Sequence, residues 1–570
     1  MNLLLQKNQV IRHSQNIFGV LFLSGLLGII ISIIANYFVI TVKWFAKSRT
    51  FSNSFFQLDG LSFAPVLWLL FAVLILYLIK VFFNISRWHG PADAVYASHR
   101  TDNELDLKRG IGSTLAALVS LCGGAPVGQY GPLVNFGATI ASFLSQITKL
   151  RLVTPEILMS CGVAAAISAG FNAPIAGILF AHEAVLRHFS LKALLPIAVA
   201  STISAAFGNW AFGGEALFTL NVIAPDLLSL LPSLFISGLV FGGVALIYMK
   251  MIFYFAEVPR KYNVGYLPLA LSAALITGSC GIFYPEILGL GVNVIFQFIT
   301  EEFSIGLILT LLVLKILVTT LCVGFGIFGG VFSPALFIGA AAGQFMSNLL
   351  GQLTIFSPSA VLAVSGMAAV AACVVGAPLA VIMIILELTL SYEYALAALV
   401  STMVAVLVTN SIYGHSFFDK QLEQRGIDLS QGRGNLELME KTVLSILTQD
   451  YLAITPKERI GSVIKKMSQN DNSEAYCLNS SGILLGKCKL SEIVNIKKNG
   501  FAKDYLETGG QSIKLDASVM QAIEVASDFV GESIPIVSRE DGKLAGVVTE
   551  ADIFQAYMST QVRINDLERG

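Results

Sequence analysis

The apolar positions of this chain come in long blocks broken by glycine and proline rather than by charged loops. Blocks at 17–46 and 62–84 are each long enough to cross a bilayer, which takes about 20 residues. Further blocks at 111–148, 157–187 and 190–213 are each interrupted by Gly or Pro. The plan then repeats at 228–256, 266–298, 305–350, 360–390 and 394–413. Many of these pieces fall short of a full crossing. A helix that stops inside a bilayer leaves N–H groups that hydrocarbon cannot satisfy. Such helices are tolerable around a polar cavity, toward which their N-termini direct partial positive charge. An anion is the natural occupant. A polar stretch at 87–110 stands out in the middle of this apolar region.

The repetition extends to individual residues. Segment 162–183 (GVAAAISAGFNAPIAGILFAHE) returns as 366–387 (GMAAVAACVVGAPLAVIMIILE), shifted by 204 with eight identities in 22 positions. Gly162/Gly366, Pro174/Pro378 and Glu183/Glu387 coincide. Upstream, 123–138 matches 326–340 at a shift of 202, aligning Gly124/Gly326, Gly128/Gly330, Pro132/Pro334 and Gly137/Gly339. Gly- and Pro-interrupted hydrophobic segments at corresponding places in two halves point to a transport site between them. An odd number of passes per half makes the halves inverted; the sequence leaves that parity open.

Composition adds a boundary. The 570 residues are 55% hydrophobic and 13% charged, with a mean hydropathy of +0.74; this is a polytopic membrane protein. Residues 421–570 nevertheless hold 38 of the 73 Asp, Glu, Lys and Arg. The expected organisation is therefore a membrane domain over 1–420 (repeats at about 15–213 and 228–420) and a soluble domain over 421–570. The net charge of −1 and the absence of a basic run give no sign of nucleic acid. The seven cysteines show no CxxC spacing and imply neither a disulfide framework nor a metal site. Residues 1–16 read as a cytoplasmic lead-in rather than a cleaved signal. No nucleophile–base set appears in the apolar part, so an enzyme is not expected.

In the tail, two units at about 438–497 and 500–558 each combine an amphipathic helix with two short period-2 strands, the pattern of a small α/β pair.

The turns Gly128-Gln129-Tyr130-Gly131-Pro132 and Gly330-Val331-Phe332-Ser333-Pro334 carry the chemistry. Glycine lets backbone N–H groups approach a ligand, and Pro in a first helical turn gives up an N–H that is unpaired anyway. These turns, together with Trp88-His89-Gly90-Pro91-Ala92 and the segments APIAGILFAHE and GAPLAVIMIILE, resemble the CLC family of chloride channels and chloride/proton exchangers. The tail resembles the CBS pairs often fused to it. The resemblance implies an α-helical polytopic fold with two inverted repeats of broken helices plus a CBS pair. It also implies a homodimer in the cell's inner (plasma) membrane, both termini cytoplasmic, with one chloride path per subunit. Backbone amides of Gln129, Tyr130 and Gly131 and of Val331 and Phe332 would line that path. Small anions other than chloride remain open.

The departures from the family pattern shape the functional expectation. Tyr130 stands where the family usually has its gating glutamate; a phenol, with a reference pKa of about 10, is a poor proton carrier at neutral pH. Ala184 stands where exchangers often have an internal proton glutamate. His89 replaces the first-motif serine, and Phe418 replaces the tyrosine that usually touches the central anion. A Phe cannot donate to an anion. The expected activity is passive, proton-independent chloride conduction with Tyr130 as the gate. The alternatives are a chloride/proton antiporter using substitutes such as His182 and Glu183, and a ligand sensor regulated through the CBS pair. In that pair, Thr549 and Asp552 match the family's phosphate and ribose contacts for an adenine nucleotide, while the first unit has Lys489 and Glu492 there. Apart from chloride, no cofactor is expected.

Overall fold

The computed structural model describes the backbone of all residues except 1, 53–56, 59–60, 101, 149–153, 214–225, 354, 430–431, 496–499, 530 and 570. The chain divides into two compact units, Met1–Ile427 and Asp428–Gly570. The boundary thus falls seven residues beyond the expected 420. The reason is local: the helix Phe417–Glu423 packs into the first unit, and Arg425 pairs with Asp93 at 2.9 Å.

The first unit is helical. α1 (Asn2–Ser52) is followed by a short antiparallel ladder, β1 (Gln57–Leu58) with β2 (Leu61–Ser62). Then come α2 (Ala64–Phe82), α3 (Pro91–His99), α4 (Leu107–Gly123) and α5 (Tyr130–Thr148). α6 (Pro155–Phe171), α7 (Pro174–Phe180, prolonged by a π-helical turn Ala181–Leu186) and α8 (Leu191–Gly208) complete the first half. The second half holds α9 (Leu227–Tyr262), α10 (Tyr266–Phe283), α11 (Val292–Thr300) and α12 (Ile305–Gly324). It continues with α13 (Phe332–Gln352), α14 (Ser359–Val375), α15 (Pro378–Thr389), α16 (Tyr392–Tyr413) and α17 (Phe417–Glu423).

The repeat seen in the sequence is a repeat of packing. α5 lies on α6 as α13 lies on α14, α6 on α8 as α14 on α16, and α1 on α8 as α9 on α16. The aligned glycines explain how. A Cβ on Gly137 would sit 2.2 Å from the Gly162 carbonyl oxygen, and a Cβ on Gly339 would sit 2.2 Å from that of Gly366. The two halves thus share, at equivalent places, a helix crossing that only glycine admits. Where the apolar blocks 111–148 and 305–350 break, Gly124 and Gly326 take φ of +94° and +90°, a conformation that side chains resist.

Among the described residues, seven helices are long and apolar enough to cross a membrane. α6, α7 with its π-helical extension, α14 and α15 are apolar but shorter. The polar stretch at 87–110 is partly helical. It contributes α3, whose Asp93 is buried and pairs with both Arg87 (2.7 Å) and Arg425.

The second unit holds two similar sheets with strand orders β3-β4-β5 and β6-β7-β8. α18 (Arg433–Glu440) leads in. β3 (Leu452–Ile454) runs parallel to β4 (Glu474–Leu478), which is antiparallel to β5 (Leu484–Lys489); α19 (Ile460–Gln469) and α20 (Leu490–Ile493) complete the unit. β6 (Ile513–Lys514), β7 (Ser533–Val537) and β8 (Leu544–Thr549) repeat this register with α21 (Val519–Ser527) and α22 (Glu550–Arg569). The leading strands β3 and β6 were not foreseen. At three and two residues they are too short to show a period-2 pattern. The two sheets meet where the Tyr476 hydroxyl bonds the Ser533 carbonyl at 2.6 Å.

Candidate anion path

The two glycine turns touch. Gly128 N–H donates to the Gly330 carbonyl and Gly330 N–H donates to the Gly128 carbonyl, both at 2.6 Å. A Cβ on Gly128 would lie 2.9 Å from the Gly330 oxygen, so a side chain would force the pair apart. From this one bridge α5 starts at Tyr130 and α13 at Phe332. Two helix N-termini, one from each half, therefore begin within a few residues of a shared contact. Their first amides have no partner inside their own helices, and Pro132 and Pro334 sit in the first turns. Gln129, Tyr130, Gly131, Val331 and Phe332 are all buried.

Tyr130 does not stand alone. Its ring stacks on Phe171, centroids 3.4 Å apart and planes 18° from parallel, and meets Phe332 edge-on at 6.0 Å. Phe171 in turn meets Phe332 edge-on at 5.4 Å. Gly170 makes room for this packing, since a Cβ there would be 2.9 Å from the Tyr130 ring. Phe171 is the functional candidate that sequence reasoning missed. It is the last residue of α6, and an aromatic at a helix end reads as packing. Tyr130 and Phe332 occupy equivalent positions of the two turns; Phe171 has no such mark. Tyr130, Gln129 and Phe171 close one side of a cavity of about 940 Å³ whose wall includes one face of α1.

The remaining candidates lie elsewhere. His89 donates its backbone N–H to Ser113 Oγ at 2.9 Å, and its buried Nδ1 has no protein partner. Phe418 is buried on α17, its ring beside Phe417, and α17 packs on α3. His182 lies in the π-helical turn, with Nδ1 2.9 Å from the Ile178 carbonyl and Nε2 buried without a partner. Ala184 is buried in the same turn.

Glu183 does something the sequence hinted at only through its coincidence with Glu387. Its two oxygens accept from the N–H groups of Leu379 (3.1 Å) and Ala380 (2.8 Å), at the start of α15. Glu387 accepts from Ile175 (2.9 Å) and Ala176 (2.8 Å), at the start of α7. Each half's carboxylate caps the other half's proline-led helix.

In the second unit, Thr549 and Asp552 bond each other. Thr549 Oγ1 donates to Asp552 Oδ2 at 2.7 Å, and Asp552 N–H returns a bond to Thr549 Oγ1. Together they close the start of α22. At the corresponding place in the first unit, Lys489 instead bonds Glu507 at 2.9 Å. That bond holds the Glu507 carboxyl below its usual range and raises the Lys489 ammonium.

Residues 70–410 match the family model for the voltage gated chloride channel. The chain belongs to this family, the CLC proteins. Residues 503–559 match the CBS domain. Among relatives, an H(+)/Cl(-) exchange transporter ClcA of Yersinia pestis is 30% identical over 345 residues, covering 58% of this chain and 71% of the relative. The ClcA of Vibrio cholerae is 27% identical over 441 residues, covering 73% and 92%. The structure of a slow cyanobacterial Cl-/H+ antiporter superposes with a TM-score of 0.65 at 19% identity, over 71% of this chain and 97% of that one. A eukaryotic CLC transporter gives 0.62 at 18% identity over 94% and 98%. The fold is the CLC fold of two inverted repeats of broken helices, followed by a CBS region. This CLC protein is a multi-pass membrane protein of an anion-transporting family.

Proposed function

We propose that this CLC protein is a passive, proton-independent chloride channel whose path runs past the bridged turns of Gly128 and Gly330. The observation that carries the reading is the Tyr130 ring, buried at the start of α5 and stacked on Phe171. A phenol has no anionic form near neutral pH to compete with chloride, and it does not release its proton there. Ala184, likewise, cannot relay a proton. In this reading Gln129, Gly131, Val331 and Phe332 offer amides to the anion, with Pro132 and Pro334 fixing their helix starts. Weak binding by dipoles alone suits conduction, because an ion must also leave. His89 and Phe418 belong to the same path, and Thr549 and Asp552 to a nucleotide site in the tail. The protein would act as a homodimer in the plasma membrane, both termini cytoplasmic, without enzymatic activity.

Proton exchange is the second reading, and the relatives' names favour it. A structural support for it is His182, whose buried Nε2 has no partner and which neighbours Glu183. Reconstitution in chloride-loaded liposomes separates the two. Chloride efflux that leaves internal pH unchanged supports the channel; efflux accompanied by proton uptake at a fixed ratio supports the exchanger.

A further inference from the structure

The cavity closed by Tyr130 carries a charge pattern that the two turns do not supply. Gln129, at the turn itself, is neutral. The cavity wall is instead built by one face of α1: Val39, Lys43, Ala46 and Lys47 follow at the i, i+4, i+7 and i+8 intervals that keep residues on one side of a helix. Arg49 lines it one half-turn further on. Against these three cations, Glu286 is the one acidic residue lining the cavity among those described.

The cations are not equivalent. Arg49 is half-buried and donates to the carbonyls of Leu121 (2.9 Å) and Cys122 (2.5 Å), at the C-terminal end of α4. It holds the wall together as a fixed charge. Lys43 and Lys47 are exposed, and both line the cavity. Two ammonium side chains, with a hydrogen-bonded guanidinium behind them, line a concavity bounded by an apolar helix bundle. That geometry focuses a positive potential and raises the local concentration of small anions.

We propose that Lys43 and Lys47 form an anion-collecting site at the mouth above Tyr130, taking small inorganic anions such as chloride and feeding them to the path. This rests on the anion path proposed above and assigns α1 the cationic part that the turn lacks. The site acts on anion supply, not on passage through the turns. Its effect should therefore depend on ionic strength, whereas a defect in the path should not. The Debye length is about 30 Å at 0.01 M and about 3 Å at 1 M. Steering therefore reaches across the cavity in dilute salt and vanishes in concentrated salt.

The test uses the full chain in liposomes, with unidirectional chloride flux measured from low to high ionic strength, set by an impermeant salt. The double variant K43Q/K47Q should lose about ten-fold in flux at the lowest ionic strength and converge on the unsubstituted protein at the highest. K43E/K47E should lose more, and K43R/K47R, which keeps both charges, should restore the unsubstituted behaviour. Equal flux at every ionic strength, or loss by one constant factor throughout, would overturn the proposal. Failure of the path itself reads differently, because the unsubstituted protein would then carry no chloride in the same assay.

Discussion

The stacked pair of Tyr130 and Phe171 is where a single side chain has the most to say about flux. Aromatic pairs in general contribute about 0.5–1.5 kcal/mol beyond simple burial, and Tyr130 gives up its ring contact if it must leave Phe171 for an anion to pass. Phe171→Ala should then speed chloride flux about two- to ten-fold, read as the initial rate of efflux from liposomes; an unchanged rate would mean that the ring never moves. Tyr130→Glu makes the complementary case. A carboxylate there competes with chloride when ionised and stops competing when protonated. The variant should gain a component of flux that rises as pH falls through the carboxyl range, and that rise should be missing from the unsubstituted protein. A flux–pH curve for the two proteins decides it. Both effects belong to residue types that a sequence displays openly, yet only Tyr130 was legible there. Its position in a motif marked it, while Phe171 acts through a ring contact between α5 and α6 that no spacing rule predicts.

At the scale of helices, the reciprocal caps tie the halves together. α7 and α15 both begin with proline after an apolar helix ends in a left-handed residue, Asn172 or Gly376. Neither has a side-chain cap of its own at its N-cap residue. Glu183 and Glu387 supply the missing acceptors from across the repeat axis, where the helix dipole also favours a carboxylate. Glu183→Ala and Glu387→Ala should each destabilise the protein by about 1–2 kcal/mol, the cost of a lost cap. They should do so by similar amounts, measured as thermal unfolding in detergent; a large asymmetry would contradict the symmetric account. The repeat itself was legible because a Gly137–Gly162 or Gly339–Gly366 crossing accepts no other residue, so both members persist in register. Which helix each glutamate would cap was not legible, because the sequence leaves the parity of passes open. The same limit hid α3: a charged stretch reads as solvent-exposed until Arg87 and Arg425 are brought to Asp93 from 6 and 332 residues away.

For the whole molecule, the central claim is that an exchanger's architecture here carries chloride without protons. In the proposed reading the inverted repeats, the bridged turns and the capped helices build a path of backbone dipoles, and Tyr130 and Ala184 stand where a carboxylate would otherwise handle a proton. The division into a membrane unit and a tail was visible from charge alone, although α17 and Arg425 draw the boundary into the charged stretch. The direct measurement is the reversal potential of the protein in a planar bilayer under a fixed chloride gradient, with a pH gradient then imposed. The account predicts a potential at the chloride equilibrium value that does not move when the pH gradient is applied. A potential displaced from that value and shifting with the pH gradient would contradict it and return the protein to the exchangers its relatives are named for.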